Sequence, residues 1–257
     1  MDGKVCLVTG ASRGIGRATV EGLARLGATR LMSCRNREAG EAARREIIAA
    51  TGNSRITLLV ADLSRQAEVR RLVAEVKEAT PRLDVLINNA GSFHMHREKT
   101  ADGVEATFAT NHLSSFLLTT GLLDLLEASA PARIIMVASE AHQRVTDPED
   151  WESTKRYNGI TAYSRSKLAN VMFSYDMAHR LEGSGVTINA CHPGVVGTDL
   201  LESGYKRWWA HWAWPLAKRF TITPEDAATS LLYLAASRDV EGVSGKYFKR
   251  SRPATSS

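Results

Sequence analysis

Short uninterrupted apolar runs alternate along this chain with longer stretches in which apolar residues return every three or four positions. The runs at 4–9, 29–33, 56–61, 84–87, 133–138 and 186–190 predict strands. Between them, 14–26, 37–50, 66–78, 102–128 and 161–181 predict helices. A strand that is apolar on both of its faces has no side to give to water. Such strands separated by helices therefore predict a parallel sheet covered on both faces. The pattern gives a single α/β domain over 1–250, doubly wound, with a mostly parallel sheet of about seven strands. No linker rich in Pro, Gly or Ser divides it, and no repeat of solenoid period is present.

Two stretches break the rhythm. Residues 142–160 are polar, with Asp147, Pro148, Glu149 and Asp150 in a row, and predict a surface excursion between the fifth strand and the next helix. Residues 195–222 hold four of the five tryptophans, Trp208, Trp209, Trp212 and Trp214. Long irregular insertions in a compact domain are usually functional or mobile. The tail, 251–257, is expected to fray.

Composition narrows the class. A chain of 257 residues, 44% apolar, buries a sizeable core without a disulfide or metal staple. Thirty-three Lys plus Arg against 28 Asp plus Glu leave a net charge of +5, too mild and too dispersed for a nucleic-acid binder. Cys6, Cys34 and Cys191 are odd in number and scattered, which fits a reducing compartment and predicts a cytoplasmic protein. No apolar run reaches the roughly 18 residues of a membrane span. Residues 1–9, with Asp2, do not read as a signal peptide.

The first predicted strand runs into Thr9-Gly10-Ala11-Ser12-Arg13-Gly14-Ile15-Gly16. Gly10 permits the tight turn, Gly14 the approach of backbone to a pyrophosphate, and Gly16 close packing of helix on sheet. The following helix offers unpaired N–H groups and a partial positive charge to the phosphates. A lone glycine cluster is a weak signal; here the strand and the helix stand where a phosphate cradle requires them. Further on, Tyr163 and Lys167 are four residues apart and share one helical face. A free tyrosine hydroxyl titrates near pH 10, and a neighbouring ammonium is expected to lower that value toward neutrality.

The spacing Gly-x-x-x-Gly-x-Gly with the preceding Thr resembles the short-chain dehydrogenase/reductase family. The resemblance continues along nearly the whole chain, through Asp62 after strand three, Asn88-Asn89-Ala90-Gly91 after strand four, Tyr163-Ser164-Arg165-Ser166-Lys167, and His192-Pro193-Gly194 with Thr198. It implies a Rossmann-type fold and hydride transfer between a nicotinamide and a carbonyl/alcohol substrate. It implies cofactor contacts at Gly10, Ser12, Arg13, Gly14, Ile15, Gly16, Asp62, Leu63, Asn89, Ala90, Gly91, Tyr163, Lys167, Pro193, Gly194, Val196 and Thr198. Tyr163 would protonate the carbonyl oxygen, or act as base in reverse, and Lys167 would also hold the nicotinamide ribose. Ser139, closing strand five, takes the place of the serine that polarises the carbonyl. Asn111 matches the asparagine that supports a water leading from Lys167; a helix-bending polar residue with a local bond is its plainer reading. His94, His96, His112, His142 and His192 have no zinc spacing, and the family needs no metal.

The end of strand two decides the expected dinucleotide. NAD enzymes usually place an acid there for the ribose hydroxyl, and an Arg accommodates a 2′-phosphate instead. Met32-Ser33-Cys34-Arg35-Asn36 has no acid, and Arg13 stands in the glycine loop as a second cation. Both point to NADP(H).

Several segments resemble the retinol-dehydrogenase and WW-domain-oxidoreductase branch, among them Ser166-Lys167-Leu168-Ala169-Asn170 and Gly242-Val243-Ser244-Gly245-Lys246-Tyr247-Phe248. The branch implies a bulky lipophilic aldehyde or ketone, retinal among them, and here a soluble member without the membrane anchor. In the family, 195–222 covers the substrate. Trp208, Trp209 and Trp212 best suit an apolar wall with Ser139 and Tyr163; lid core, a dimer contact or a peripheral membrane patch are the competing readings. The helices at 102–128 and 161–181 form a homodimer face in many members. A non-catalytic dinucleotide sensor, or an isomerase or lyase on the same fold, stays open as an alternative.

Overall fold

The computed structural model describes residues 1–145, 149–196 and 222–256. The first half repeats strand and helix: β1 (Val5–Thr9), α1 (Gly14–Arg25), β2 (Thr29–Cys34), α2 (Arg37–Thr51), β3 (Ile56–Val60), α3 (Gln66–Ala79) and β4 (Val85–Asn88). Then come α4 (Ala106–Phe108), a π-helical turn (Ala109–Leu113), α5 (Ser114–Gly121), α6 (Leu123–Ala128) and β5 (Ala132–Val137). A 3₁₀ turn (Glu140–Arg144) leads toward α7 (Gly159–Arg180) and β6 (Val186–His192), and α8 (Pro224–Ala236), β7 (Tyr247–Lys249) and β8 (Arg252–Ala254) close the described chain.

The sheet order is β3-β2-β1-β4-β5-β6-β7-β8, eight strands rather than about seven. All pairings from β3 to β7 are parallel, and β8 is antiparallel to β7. The order reverses between β1 and β4, which pair from Cys6 against Val85 to Val8 against Ile87. A crevice opens beyond the carboxyl ends of the strands at such a reversal, and open α/β sheets bind ligands there.

Strand periodicity divides the core in two. Leu7, Leu31, Leu86, Ile134, Met136 and Ile188 face α3, α5 and α7, where Leu72, Leu118 and Phe173 meet them. Their neighbours Cys6, Val8, Met32, Ile87, Ile135 and Cys191 face α1, α2 and α8, where Leu23, Ile47 and Leu231 close the other side. Helix ends follow local chemistry. Asn36 accepts from Ala39 N at 2.8 Å at the start of α2, and Gly52 with φ 69° ends it. Among the described residues, no helix is long and apolar enough to cross a membrane.

Three expectations change. The predicted helix at 102–128 begins at Ala106, passes through the π turn and is interrupted at Leu122. The tail is not frayed at 252–254: β8 pairs with β7, Tyr175 Oη donates to Ser256 Oγ at 2.8 Å, and His142 Nε2 meets the Ser256 carbonyl. All three residues of β8 are exposed and one is Pro253, so no apolar period marks them; backbone pairing with the buried Tyr247 and Phe248 orders them instead. The polar excursion is also only partly on the surface, since Ser153 and His142 are buried.

Candidate active site

The glycine loop and the loop after β4 meet at the sheet reversal. Gly10 and Gly14 have φ of 66° and 54°, a region that favours glycine. A Cβ at Gly10 would stand 2.9 Å from Ala90 Cα, and one at Gly16 would overlap the Gly10 carbonyl and the Asn89 amide. Thr9 Oγ1 accepts from the backbone N–H groups of Asn89 and Ala90, both at 3.0 Å, and Asn89 Nδ2 donates to Thr9 O at 2.8 Å. Asn88 Nδ2 donates to Thr119 Oγ1 at 2.9 Å, behind the loop. The first turn of α1 carries neither a side-chain cap nor an acid. This cradle suits a pyrophosphate: backbone lines it, side chains are excluded from it, and a helix start faces it. Gly16 tightens the cradle itself as well as the helix packing.

Beside the cradle, Ala11 N donates to Ser33 O at 3.0 Å, and Ser12 hydrogen-bonds the buried Cys34. Burial pushes the Cys34 thiol up, so it stays protonated where an acid would accept from a ribose. Arg35 and Arg13 are both exposed at this edge. Asp62 Oδ1 accepts from Ser64 N at 3.1 Å and Ser64 Oγ at 2.8 Å, which orients the carboxylate, and Leu63 is buried beside it.

Tyr163, Lys167, Ser139 and Asn111 converge from α7, the end of β5 and the π turn. Tyr163 and Ser139 share a side-chain hydrogen bond. Lys167 Nζ donates to Val137 O at 2.8 Å and lies 5.6 Å from the centre of the Tyr163 ring. A Cβ on Gly91 would be 3.4 Å from Asn111 Oδ1 and 3.8 Å from Lys167 Nζ, so the loop after β4 touches both. Asn111 Oδ1 accepts from Ser92 N at 2.6 Å, and its Nδ2 donates to Ser92 O at 3.1 Å and Ser166 Oγ at 2.9 Å. The Asn111 carbonyl, in the π turn, accepts from Asn170 Nδ2 at 3.0 Å. Asn111 thus sits where the helix departs from regular geometry and also carries bonds to distant segments.

The electrostatics depart from expectation. Burial pushes the Tyr163 hydroxyl up, against the smaller opposing effect of the Ser139 bond. Burial holds Lys167 down, at about 8. The expected lowering by Lys167 is not among the effects felt at Tyr163; desolvation leads there, and the ammonium, which donates to the Val137 carbonyl, lies against the ring and makes no hydrogen bond to the hydroxyl.

After β6, Gly194 has φ 114°, and a Cβ there would overlap Ile222. Pro193 and His192 are buried; His192 Nε2 lies 3.3 Å from Glu140, whose other oxygen holds Lys249 at 2.6 Å. Val196 bridges Ile222, whose N–H donates to Val195 O at 2.9 Å. Thr198, Trp208, Trp209 and Trp212 lie outside the described residues. Sequence reasoning missed Phe93, whose ring packs edge-on against Tyr163 at 6.0 Å, and Ser92 and Asn170, the partners of Asn111. No spacing rule marks the first two; Asn170 lies within a segment already quoted, without an assigned role.

A family model described as "short chain dehydrogenase" matches residues 4–207. Retinol dehydrogenase 14 of Mus musculus is 45% identical over 268 residues, covering 96% of this chain and 78% of that protein. Retinol dehydrogenase 13 of Homo sapiens is 41% identical over 261 residues, covering 98% and 78%. Among solved structures, an NADP complex of Pseudomonas aeruginosa RhlG superimposes with a TM-score of 0.79 at 28% identity, covering 97% of this chain and 95% of that one. A short chain dehydrogenase of Burkholderia cenocepacia with NADP gives 0.78 at 28% identity, covering 96% of each chain.

Proposed function

The chain belongs to the short-chain dehydrogenase family, and from that premise we propose that it is an NADP(H)-dependent carbonyl reductase/alcohol dehydrogenase for bulky lipophilic aldehydes or ketones, retinal among them. The observation that carries the reading is the convergence of Tyr163, Ser139, Lys167 and Asn111 beside the glycine cradle. The retinol dehydrogenase relatives support the substrate class, and the two NADP complexes support the cofactor.

Gly10, Ser12, Gly14, Ile15 and Gly16 receive the pyrophosphate, Asp62 and Leu63 the adenine, and Asn89, Ala90 and Gly91 the adjoining ribose. Arg35 and Arg13 take the 2′-phosphate, since guanidinium stays charged and matches phosphate geometry. Pro193, Gly194, Val196 and Thr198 border the nicotinamide, which supplies or accepts the hydride when bound. Ser139 and Tyr163 hold the substrate oxygen. The raised value of Tyr163 keeps its proton in place until the oxygen gains charge, and general acid catalysis then delivers it. Lys167 holds the ribose and replenishes the proton, with Asn111 ordering the path behind it. Trp208, Trp209 and Trp212 wall the apolar end of the substrate. A homodimer over α5 and α7 covers a groove of about 340 Å³ that Phe108, His112, Phe116, Met172 and Phe173 line, where Phe116 and Met172 are exposed.

The test is loss of reduced-nicotinamide absorbance with a panel of aldehydes and ketones, run with NADPH and with NADH. Turnover of retinal or similar lipophilic carbonyls with NADPH is expected. Tight NADPH binding without turnover across the panel, in either direction, favours a sensor and overturns the reading; product without net cofactor consumption indicates an isomerase or lyase.

A further inference from the structure

Arg165 stands two residues after Tyr163 and two before Lys167 on α7. At about 3.6 residues per turn it projects from the side of the helix opposite to that pair. It is buried there: its Nη1 donates to Ser153 Oγ at 2.9 Å and lies 3.8 Å from Asp150 Oδ2. Ser153 is fully buried and has φ 51°, a conformation costly for any residue but glycine, held only where surroundings enforce it. Asp150 is a knot in its own right, accepting from Thr154 N at 2.8 Å, Thr154 Oγ1 at 2.9 Å and Lys155 N at 3.2 Å.

The same segment also grips the front of the site. Arg97 Nε donates to Glu152 O at 3.2 Å, and Tyr157 Oη donates to His94 O at 2.8 Å. Asn158 caps α7 through Ile160 N at 2.9 Å and Thr161 N at 3.2 Å. The loop so held carries Phe93, the ring against Tyr163. Residues 150–159 thus form a strap anchored to the back of α7 and to the loop before its front.

We propose that Arg165 is a positioning residue: its buried clamp on Asp150 and Ser153 sets the rotation of α7 about its axis and so places the Tyr163 hydroxyl at the reacting carbonyl. The inference rests on the carbonyl reductase reading above. The lever is geometric. A rotation of about 10° moves a side-chain tip near the end of a tyrosine by on the order of 1 Å, and a misplacement of that size costs about a hundredfold in rate.

The experiment compares Arg165→Met, Asp150→Asn and their double variant with Arg133→Met. Arg133 is a useful control because it too is an inward-held arginine, but its partners are backbone carbonyls, Leu234 O at 3.0 Å and Ser237 O at 2.9 Å, away from α7. Arg165→Met is expected to lower kcat about ten- to a hundredfold, with NADPH affinity within about twofold of the wild type. Arg133→Met is expected to lower the melting temperature while kcat per folded enzyme holds. The double variant should be no worse than the worse single one, because the clamp acts as a unit. An unchanged kcat in Arg165→Met, or an equal kcat loss in Arg133→Met at matched melting temperature, overturns the proposal. Should Arg165→Met fail to fold, Ser153→Ala removes one clamp bond alone; a kcat loss of about threefold or more supports the clamp, and an unchanged kcat overturns it. A wild type that turns over no carbonyl sinks the functional reading itself; an active wild type with an indifferent Arg165→Met sinks only this inference.

Discussion

The glycine loop and α7 both meet the loop after β4 and are built by opposite means. The cradle is backbone against backbone: Gly10 against Ala90, Gly16 against the Gly10 carbonyl, with the side chains of Thr9 and Asn89 tying the two loops. Helix α7 is held by side chains: Asn111 to Ser166, Asn170 to the Asn111 carbonyl, Lys167 to the Val137 carbonyl, Arg165 to Ser153. A backbone contact tolerates no substitution because it leaves no room, whereas a buried polar network tolerates none because each orphaned partner stays desolvated. The cradle should therefore fail by steric exclusion of the cofactor. At Tyr163 and Arg165 the helix should fail in chemistry while the cofactor still binds; at Lys167, which is assigned to the ribose, both should weaken.

The largest effect expected is on the chemistry side. Tyr163→Phe removes the proton donor and should cut kcat by on the order of 10²–10⁴, with NADPH affinity within about twofold. Single-turnover kinetics beside a binding titration check it; comparable losses in both would place Tyr163 in cofactor binding instead. On the cradle side, Gly16→Val drives side-chain atoms into the Gly10 carbonyl. Overpacking of this kind costs about 1–3 kcal/mol, and here it falls on the dinucleotide site, so NADPH affinity should drop more than about tenfold. Fluorescence titration of NADPH measures that, and retained affinity would show that the loop can yield.

A smaller effect tests the edge of the cradle. A charge-assisted bond to phosphate is worth about 1.5–3 kcal/mol, so Arg35→Ala should weaken NADPH on the order of ten- to a hundredfold and leave NADH nearly unchanged. Equal losses for both cofactors would assign Arg35 to the fold or to the adenine.

The smallest effect is on stability. Folded Lys167 gives up its proton near pH 8, whereas the unfolded chain holds it to the ordinary 10.5. Between those values the unfolded chain binds more protons, so this group makes stability rise with pH. Its penalty is complete below about pH 8 and amounts to roughly 3 kcal/mol at most. Lys167→Met removes that penalty but leaves the Val137 carbonyl without its donor, a loss of about 1 kcal/mol. The inactive Met variant should melt about 2–6 °C above the wild type at pH 7, and the gap should close toward pH 10. Equal melting curves at both values would show that Lys167 is better solvated than its burial implies.

Much of this was legible in the chain. The strand and helix alternation fixes the layers, because both-faces-apolar strands have one way to be covered. The glycine spacing marks the cradle, because a backbone that must approach backbone can only be glycine. The spacing of Tyr163 and Lys167 puts them on one face. What was hidden lacks a local period. β8 is exposed and contains a proline, so only its partner orders it. Phe93 is an isolated aromatic whose meaning is a ring 70 residues away in the chain, Tyr163. The stretch at 150–158 reads as a solvated polar run, yet Ser153 and the Asp150 carboxylate are buried beneath α7.

The sequence by itself therefore determined the class of fold, the place of the glycine loop and which residues are candidates for binding and chemistry, because each of these depends on residue type and short-range period. The tertiary structure alone decided their electrostatic state and their aim. Whether Tyr163 rises or falls in acidity depends on how much water burial removes and on the hydrogen bond it shares with Ser139. How α7 is rotated depends on Asp150 and Ser153, residues that meet Arg165 only once the chain has folded.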